Sequence, residues 1–205
     1  AKDRDQVSVR FAMCFPDLYE VGMSHLGMKI LYSLINSRED YWCERVFAVE
    51  DDMAQEMAKA GILLYGLESF TPIREMDLIG FTLQYEMSYT TLLEMLDQAG
   101  LPVRAEDRPA LTPLVIGGGP CACNPEPLAD FVDLFVLGEG EEVTLALCDL
   151  MKEAKAAGWT KEEYLRRASR LEGVYVPAFY QPVYGEDGRL LEMRPSQGVP
   201  AVVSK

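Results

Sequence analysis

The stretch "PLVIGGGPCACNPEP" (residues 113–127) joins a short apolar run to three consecutive glycines, and this junction decides the fold. A brief apolar run that stops at glycine is typical of a buried strand in a parallel sheet. The glycines leave the backbone open to close approach by another group. That group could be a phosphate, a metal ion, a flat cofactor or only the neighbouring helix.

Other short apolar runs lie on both sides of this strand, and helical patterns separate them. The sequence predicts strands at residues 7–15, 44–50, 77–83, 113–117 and 133–138. Short apolar strands that alternate with helices are typical of a parallel sheet covered on both faces. We therefore predict an α/β fold with a doubly wound, mainly parallel five-stranded sheet of Rossmann-like or flavodoxin-like strand order.

Apolar residues at helical spacing predict the helices between these strands. The stripes are Leu26, Ile30 and Leu34; Met53, Met57 and Ala60; Leu92, Leu93, Leu96 and Ala99; and Val143, Leu147, Leu150 and Ala154. Asp52 with Gln55 resembles a capping box, and Gly61, Gly100 and Gly158 are expected to end helices. After the fourth strand there is room for about one helical turn only.

The last part of the chain follows a different pattern. Thr160 with Glu163 predicts the start of a short helix, and two β-rich runs within 173–193 flank the turn "EDG" (186–188). Prolines place this hairpin at an edge or outside the main sheet. We predict one domain at residues 1–158 and a helix plus β-hairpin connector at 159–205.

Composition excludes some classes of partner. The 205 residues carry 33 acidic and 19 basic side chains, a formal charge of −14, so we expect no direct binding to nucleic acid. No apolar run is long enough to span a bilayer and no signal peptide is visible, so we expect a cytoplasmic protein. The five cysteines match no disulfide framework and are expected to be small buried hydrophobes: Cys14, Cys43, Cys121, Cys123 and Cys148.

Unusual loops follow four of the predicted strands. They are "PDLYEVGMSHLG" (16–27), "QYEMSY" (84–89), "GGGP" (117–120) and "GEGEE" (138–142). Open α/β sheets bind ligands beyond the carboxyl ends of their strands, so we expect these loops to converge on one rim.

Several kinds of site are disfavoured at this rim. No Gly-Lys-Ser/Thr follows the glycines, and Glu139, Glu141 and Glu142 would repel an anion at the other glycine loop. Cys121 and Cys123 are too close for a C-x₂-C zinc pair, and a radical-type [4Fe–4S] cluster needs a third thiolate. We predict that both cysteines pack beside the glycine turn.

Catalytic side chains are also not apparent. His25, the single histidine, is expected to be a hydrogen-bonded loop residue, and no serine nucleophile elbow is present. We therefore predict no catalytic residues and no metal ligands in this chain.

A large, flat and mostly apolar ligand, such as a corrin or a flavin, remains compatible with these loops. Glycines would let its ring lie on the backbone, and Gln84, Tyr85, Glu86 and Ser88 would hydrogen-bond its polar edge. The structural alternatives are that Ser88 only caps a helix and that the glycines only form a tight turn against the fifth strand.

Three stretches carry a resemblance to a known family: "YEVGMSHLGMKILYSLIN" (19–36), "LIGFTLQYEMSYTTLLEMLDQAGLP" (78–102) and "PLVIGGGPCACNPEPLADFVDLFVLGEGEE" (113–142). In this order they resemble the N-terminal cobalamin (B12)-binding domain of radical SAM proteins, closest to an uncharacterised bacterial branch. The resemblance implies a Rossmann-like cobalamin domain followed by a barrel that holds S-adenosylmethionine and a [4Fe–4S] cluster. The barrel's C-x₃-C-x₂-C motif is absent from this chain, so the partner implied is the protein's own C-terminal radical SAM domain.

The resemblance also implies a set of cofactor-binding residues. By position they are Tyr19, Glu20, Met23, Ser24, Gln84, Tyr85, Glu86, Ser88, Gly117, Gly118, Gly119, Pro120, Gly138, Glu139, Gly140 and Glu141. Many cobalamin carriers present a lower cobalt ligand from D-x-H-x-x-G. Around His25 this chain has Met23 and Met28 at the Asp and Gly positions, so we expect cobalamin without a histidine lower ligand.

These observations lead to competing functional hypotheses. The first is the cobalamin-binding module of a larger radical SAM enzyme, involved in methyl or other radical transfer and not catalytic alone. The second is a cofactor-free docking or substrate-recognition domain, and a weaker third is a flavin-binding domain. An open cleft beside residues 117–120 would favour a cofactor, whereas a rim filled by Tyr85, Met87 or Met23 would favour the cofactor-free fold.

Overall fold

The computed structural model describes residues 2–3 and 6–204. Residues 1, 4, 5 and 205, at the ends of the predicted domain and connector, lie outside the described residues. A parallel sheet forms the centre of the described chain, from strands β1 (Val9–Leu18), β2 (Tyr41–Ala48), β3 (Leu78–Thr82), β4 (Leu114–Gly118) and β5 (Leu134–Val136). The strand order β2-β1-β3-β4-β5 confirms the flavodoxin-like prediction.

A sixth strand extends the sheet beyond the five that were predicted. Strand β6 (Val174–Tyr175) pairs antiparallel with β5, through Phe135 with Tyr175 and Val136 with Val174. This strand belongs to the segment predicted to lie at an edge or outside the sheet. Gly173 allows the close approach, since a Cβ there would lie 2.5 Å from the carbonyl oxygen of Leu137.

The predicted hairpin forms a separate two-stranded sheet. Strands β7 (Tyr180–Tyr184) and β8 (Leu190–Pro195) pair antiparallel on either side of the turn at residues 186–188. The short helix predicted before them is also present, and the Thr160 side chain accepts a hydrogen bond from the backbone N–H of Glu163, as a capping box requires.

Helices cover both faces of the sheet. They are α1 (Tyr19–Gly22), α2 (Leu26–Asn36), α3 (Asp51–Ala60), α4 (Ser88–Gln98), α5 (Glu141–Ala157) and α6 (Lys161–Ala168). Gly61 and Gly158 end α3 and α5 in the left-handed conformation, as predicted. After β4 the chain forms two short 3-10 turns, Pro120–Cys123 and Glu126–Leu128, instead of a full helix.

The buried face of α2 differs from the predicted stripe. Met28 and Ile35 are buried against the sheet, whereas Leu26 is 69% exposed and Ile30 is 42% exposed. This helix carries apolar residues on more than one face, so periodicity alone does not select the face that packs. Contact with the sheet determines which face of α2 is buried.

Helix α3 also departs from its sequence pattern. It begins at Asp51, so Glu50 occupies the N-cap without a side-chain hydrogen bond, and the predicted Asp52–Gln55 capping box does not form. Asp52 instead accepts a hydrogen bond from the adjacent N–H of Met53. Of the predicted stripe, Met57 is buried, but Met53 and Ala60 are exposed.

Three of the cysteines are buried, as predicted. Burial raises the pKa of the Cys14, Cys43 and Cys148 thiols, which therefore behave as small hydrophobes. Cys121 is partly buried, but Cys123 is exposed, so the prediction that both pack beside the glycine turn is wrong for Cys123. In its 3-10 turn Ala122 takes the buried position.

None of the helices in the described ranges is long and apolar enough to cross a membrane.

Candidate functional site

A cavity of about 190 Å³ opens at the carboxyl ends of the strands, between the sheet and the first turns of α2 and α5. Its walls include residues of β1, β3, β4 and β5 and of the loops that follow them. Strands β1 and β3 lie side by side where the strand order reverses. Ligands bind at this point in open α/β sheets, so the cavity is the candidate functional site.

The three glycines at the carboxyl end of β4, Gly117, Gly118 and Gly119, have three different roles. A Cβ at Gly117 would lie 2.7 Å from the ring of Phe135, so this glycine is needed for packing against β5. Gly119 has φ +96° and a Cβ there would lie 2.9 Å from the Leu83 carbonyl oxygen, so it is needed for the turn. Gly118 has free space and lines the cavity, as does Gly119. Gly117 therefore has the structural role considered above, close packing against the fifth strand.

The second glycine loop brings the start of α5 to the cavity. Gly138 has φ +95°, and Gly140 is the N-cap of α5 and provides no side-chain cap. The helix N-terminus carries partial positive charge, but Glu139 and Glu141 line the same wall. Because these carboxylates offset the helix dipole, the wall suits an uncharged polar group better than an anion.

The loop after β3 contributes one predicted residue to the cavity. Gln84 lines it, and its Nε2 donates a hydrogen bond to Thr82 Oγ1 at 2.7 Å. Ser88 is buried and donates its hydroxyl to the carbonyl oxygen of Tyr85 at 2.7 Å, and it does not cap α4, whose N-cap is Met87 without a side-chain hydrogen bond. Tyr85 donates its hydroxyl to Asp17, and this carboxylate raises the pKa of the phenol.

The segment after β1 lies mostly outside the cavity. Tyr19 packs edge-on against Phe47, with ring centroids 5.2 Å apart. Of the predicted site residues, the structure brings Gln84, Gly118, Gly119, Gly138, Glu139, Gly140 and Glu141 to the cavity. It does not bring there Tyr19, Glu20, Met23, Ser24, Tyr85, Glu86, Ser88, Gly117 or Pro120.

His25 lines the cavity and is the N-cap of α2. Its Nδ1 accepts a hydrogen bond from the backbone N–H of Met28 at 3.1 Å, which confirms the predicted hydrogen-bonded histidine. In a neutral imidazole with an accepting Nδ1, the proton is on Nε2. Neither nitrogen then has a free lone pair for a metal ion.

Residues 27–177 match the family described as radical SAM proteins, N-terminal. The chain belongs to this family. The match runs from the second residue of α2 to β6 and includes both glycine loops, whereas the cavity residues Phe11, Met13 and His25 lie before it.

Two proteins similar to this radical SAM N-terminal region have longer chains. An uncharacterised protein of Methanocaldococcus jannaschii is 25% identical over 148 residues, which are 72% of this chain and 28% of that protein. The radical S-adenosylmethionine methyltransferase TsrM of Kitasatospora setae, solved with its tryptophan substrate and a SAM analogue, has a TM-score of 0.49 and 16% identity. That similarity covers 95% of this chain and 35% of the TsrM chain. The chain thus spans about a third of the length of these proteins.

Sequence reasoning missed the floor of the cavity in this radical SAM N-terminal region. Strand residues form the floor, among them Phe11, Met13, Ile116 and Val136. These apolar residues looked like ordinary core, and their sequence carries no sign that the ends of the strands line a cavity. Thr144, one turn into α5, also lines it, and its position three residues after Glu141 is a usable signal once the helix start is known.

Large side chains of the rim do not fill the cavity. Tyr85, Met87 and Met23 are 40%, 83% and 41% exposed, and none of them contributes to its wall. The cleft beside Gly118 and Gly119 is therefore open, which is the arrangement expected for a ligand-binding member of this fold.

Metal ligands are not gathered at the site. Among the residues that the structure describes, no group of three or more His, Cys, Asp or Glu side chains is placed to hold a metal ion.

Proposed function

We propose that this chain is the cobalamin-binding module of a larger radical SAM enzyme and carries no catalytic group of its own. The observation that supports it most directly is the open, glycine-walled cavity at the strand reversal. A side chain at Gly118 would project into this space, so the backbone there is kept bare for a ligand.

The size of the cavity suits part of a large cofactor. Sites that enclose a drug-sized ligand measure roughly 300–1,000 Å³. At about 190 Å³ this cavity is smaller, so a corrin would cover its mouth and place only a peripheral group inside. Its ring would lie on the backbone of Gly118, Gly119 and Gly138.

The polar groups of the wall favour a corrin over a flavin nucleotide. Thr82, Gln84 and Thr144 offer uncharged hydrogen-bonding groups, which match the amide side arms of cobalamin. A flavin nucleotide would bring a phosphate towards Glu139 and Glu141, and these carboxylates would repel it.

The lower face of the cobalt would be met by water or by nothing. His25 uses Nδ1 to cap α2 and holds its proton on Nε2, so it does not fit the role of axial ligand. When bound, cobalamin would supply the chemistry of methyl or other radical transfer. The residues of this chain would hold it, orient it and exclude water from one of its faces.

The remaining parts of the reaction would belong to a second domain of the same protein. We propose that S-adenosylmethionine and a [4Fe–4S] cluster bind there. An apolar rim, which we define as Tyr19, Val21, Met23, Leu26 and Ile30 of the segment from α1 to α2, is exposed beside the cavity. Exposed apolar patches of this kind mark interaction surfaces.

The apolar rim also favours one alternative function. A cofactor-free docking or substrate-recognition domain would need such a surface and would have no need of the open cavity. The two functions therefore differ in whether the cavity binds a cofactor.

Spectroscopy of the purified chain tests the proposal. The chain is mixed with hydroxocobalamin and desalted, and the visible spectrum of the protein fraction is recorded. We expect a stoichiometric amount of corrin to be retained, and Gly118→Trp to abolish retention because the indole fills the cavity mouth.

Leu191→Trp is the matched control, since it adds the same side chain on the exposed hairpin and should retain the corrin. Elution of the unsubstituted chain without corrin would contradict cobalamin binding and favour the docking domain.

A further inference from the structure

We propose that His25 binds the cofactor directly, with its Nε2–H donating a hydrogen bond to an uncharged acceptor of that cofactor. The inference rests on the proposed cobalamin-binding function and adds a specific contact to it. It assigns the histidine to the periphery of the cofactor and not to its metal.

The tautomer of His25 follows from its place in the chain. Helix α2 begins with Leu26, and the backbone N–H of Met28 in its first turn points at His25 Nδ1, 3.1 Å away. A proton on Nδ1 would place two donors against each other. The cap therefore keeps Nδ1 as an acceptor and leaves Nε2 as the donor.

Packing fixes the orientation of the ring. The Phe15 ring lies against it, with centroids 5.2 Å apart. A Cβ at Gly27 would lie 3.1 Å from His25 Cε1, which is tighter than ordinary contact. Gly27 thus leaves room for the imidazole beside the cavity. A donor held in one orientation loses little conformational entropy when it binds.

The donor has no partner in the free protein. Among the residues that the structure describes, no side chain or carbonyl accepts a hydrogen bond from His25 Nε2. Gln84, another donor of the wall, gives one of its two Nε2 hydrogens to Thr82. The imidazole N–H therefore remains available to a ligand that covers the cavity mouth.

The charge of the wall indicates the chemistry of the acceptor. Glu139 and Glu141 line the cavity together with His25, so a carboxylate or phosphate is disfavoured there. An amide carbonyl is uncharged and accepts well, and the side arms of cobalamin carry such groups. We therefore assign the His25 partner as an amide oxygen of the corrin periphery.

Two substitutions separate this role from the capping role. His25→Ser and His25→Asn supply preferred N-cap side chains, so each should keep α2 and the thermal midpoint while removing the imidazole donor. We expect the dissociation constant for hydroxocobalamin to rise about 3- to 10-fold, as the loss of one hydrogen bond predicts. Leu191→Ser on the hairpin is the control and should bind as the unsubstituted chain does.

Two spectroscopic readouts report on His25 directly. In the ¹⁵N-histidine-labelled chain, we expect the Nε2–H tautomer before loading and a changed Nε2–H resonance after loading. In the protein loaded with cob(II)alamin, we expect an electron paramagnetic resonance spectrum without histidine nitrogen coupling, and no effect of His25→Ser on that coupling.

Each outcome bears on a distinct claim. Equal affinity of the unsubstituted chain and both His25 variants would overturn the His25 contact and leave cobalamin binding in place. An Nδ1–H tautomer, or nitrogen coupling that His25→Ser removes, would also overturn it. If the unsubstituted chain binds no corrin, the proposed function fails and this contact fails with it.

Discussion

At the scale of single residues, Phe70 has a left-handed backbone conformation, which is unfavourable for a side chain of this size. It is a non-glycine residue with φ +57°, and its side chain is 71% exposed. The surrounding loop imposes this conformation, since Phe70 N–H donates to the Gly66 carbonyl and Ser69 N–H donates to the buried carboxylate of Glu44. A left-handed conformation costs an ordinary residue about 1–2 kcal/mol.

Phe70→Asn should therefore stabilise the protein, because asparagine tolerates this conformation and little buried surface is lost. We expect the free energy of unfolding in urea to rise by about 0.5–1 kcal/mol. Leu67→Asn in the same loop is the control and should not stabilise. A lower stability of Phe70→Asn would mean that the contact between the Phe70 and Tyr65 rings outweighs the backbone strain.

At the scale of elements, buried aspartates connect the amino ends of the strands. Asp77 and Asp133 each precede a strand and accept the backbone N–H of a neighbouring one, from Arg10 at 2.8 Å and from Val115 at 2.7 Å. Asp133 also pairs with Arg108 at 3.2 Å and with Lys161 of α6 at 2.6 Å. Helix α6 is thereby joined to the same sheet that β6 extends.

Removing the charge of Asp133 should strongly lower the free energy of unfolding, because Asp133 joins α6 to the sheet. Asp133→Asn keeps an acceptor for the Val115 N–H but leaves the buried Arg108 and the partly buried Lys161 without this counter-ion, which costs about 3–5 kcal/mol. The surface pair of Arg104 with Asp130 offers a control, because Asp130→Asn removes a solvent-exposed charge. Urea unfolding of both variants is the measurement, and equal stability would show that the Asp133 cluster contributes little.

At the scale of the whole molecule, the exposed face of α2 is the feature that the isolated chain does not explain. Helix α2 carries apolar residues on more than one face, and Leu26 and Ile30 remain exposed although an apolar helix face is usually buried. Under the proposed function, we expect a second domain to cover this face.

Hydrogen exchange can detect whether a second domain buries the exposed face of α2. The amides of α2 should exchange more slowly in the longer protein than in this chain, and Leu26→Lys combined with Ile30→Lys should remove the difference. Ile62→Lys, at an exposed position after α3, is the control and should leave it unchanged. Identical exchange of α2 in both proteins would mean that the face stays open to solvent.

The sequence was most informative where structure depends on near neighbours. The apolar runs, the Gly61 and Gly158 helix ends and the Thr160 cap all depend on residues within a few positions, and the structure confirms them. The strand-by-strand alternation with helices was enough to predict the flavodoxin-like sheet and to locate Gly118, Gly119 and the second glycine loop at its rim.

Other features depend on contacts between distant parts of the chain, and only the tertiary structure decided them. The sheet selected Met28 over Leu26 as the buried face of α2, and Phe135 determined that Gly117 packs while Gly118 faces the cavity. Val174 and Tyr175 form a sixth strand because they pair with β5. The sequence alone determined the elements and their order, because local backbone preferences and periodicity encode them. The cavity and its polar wall arise only when four strand ends and two helix starts meet.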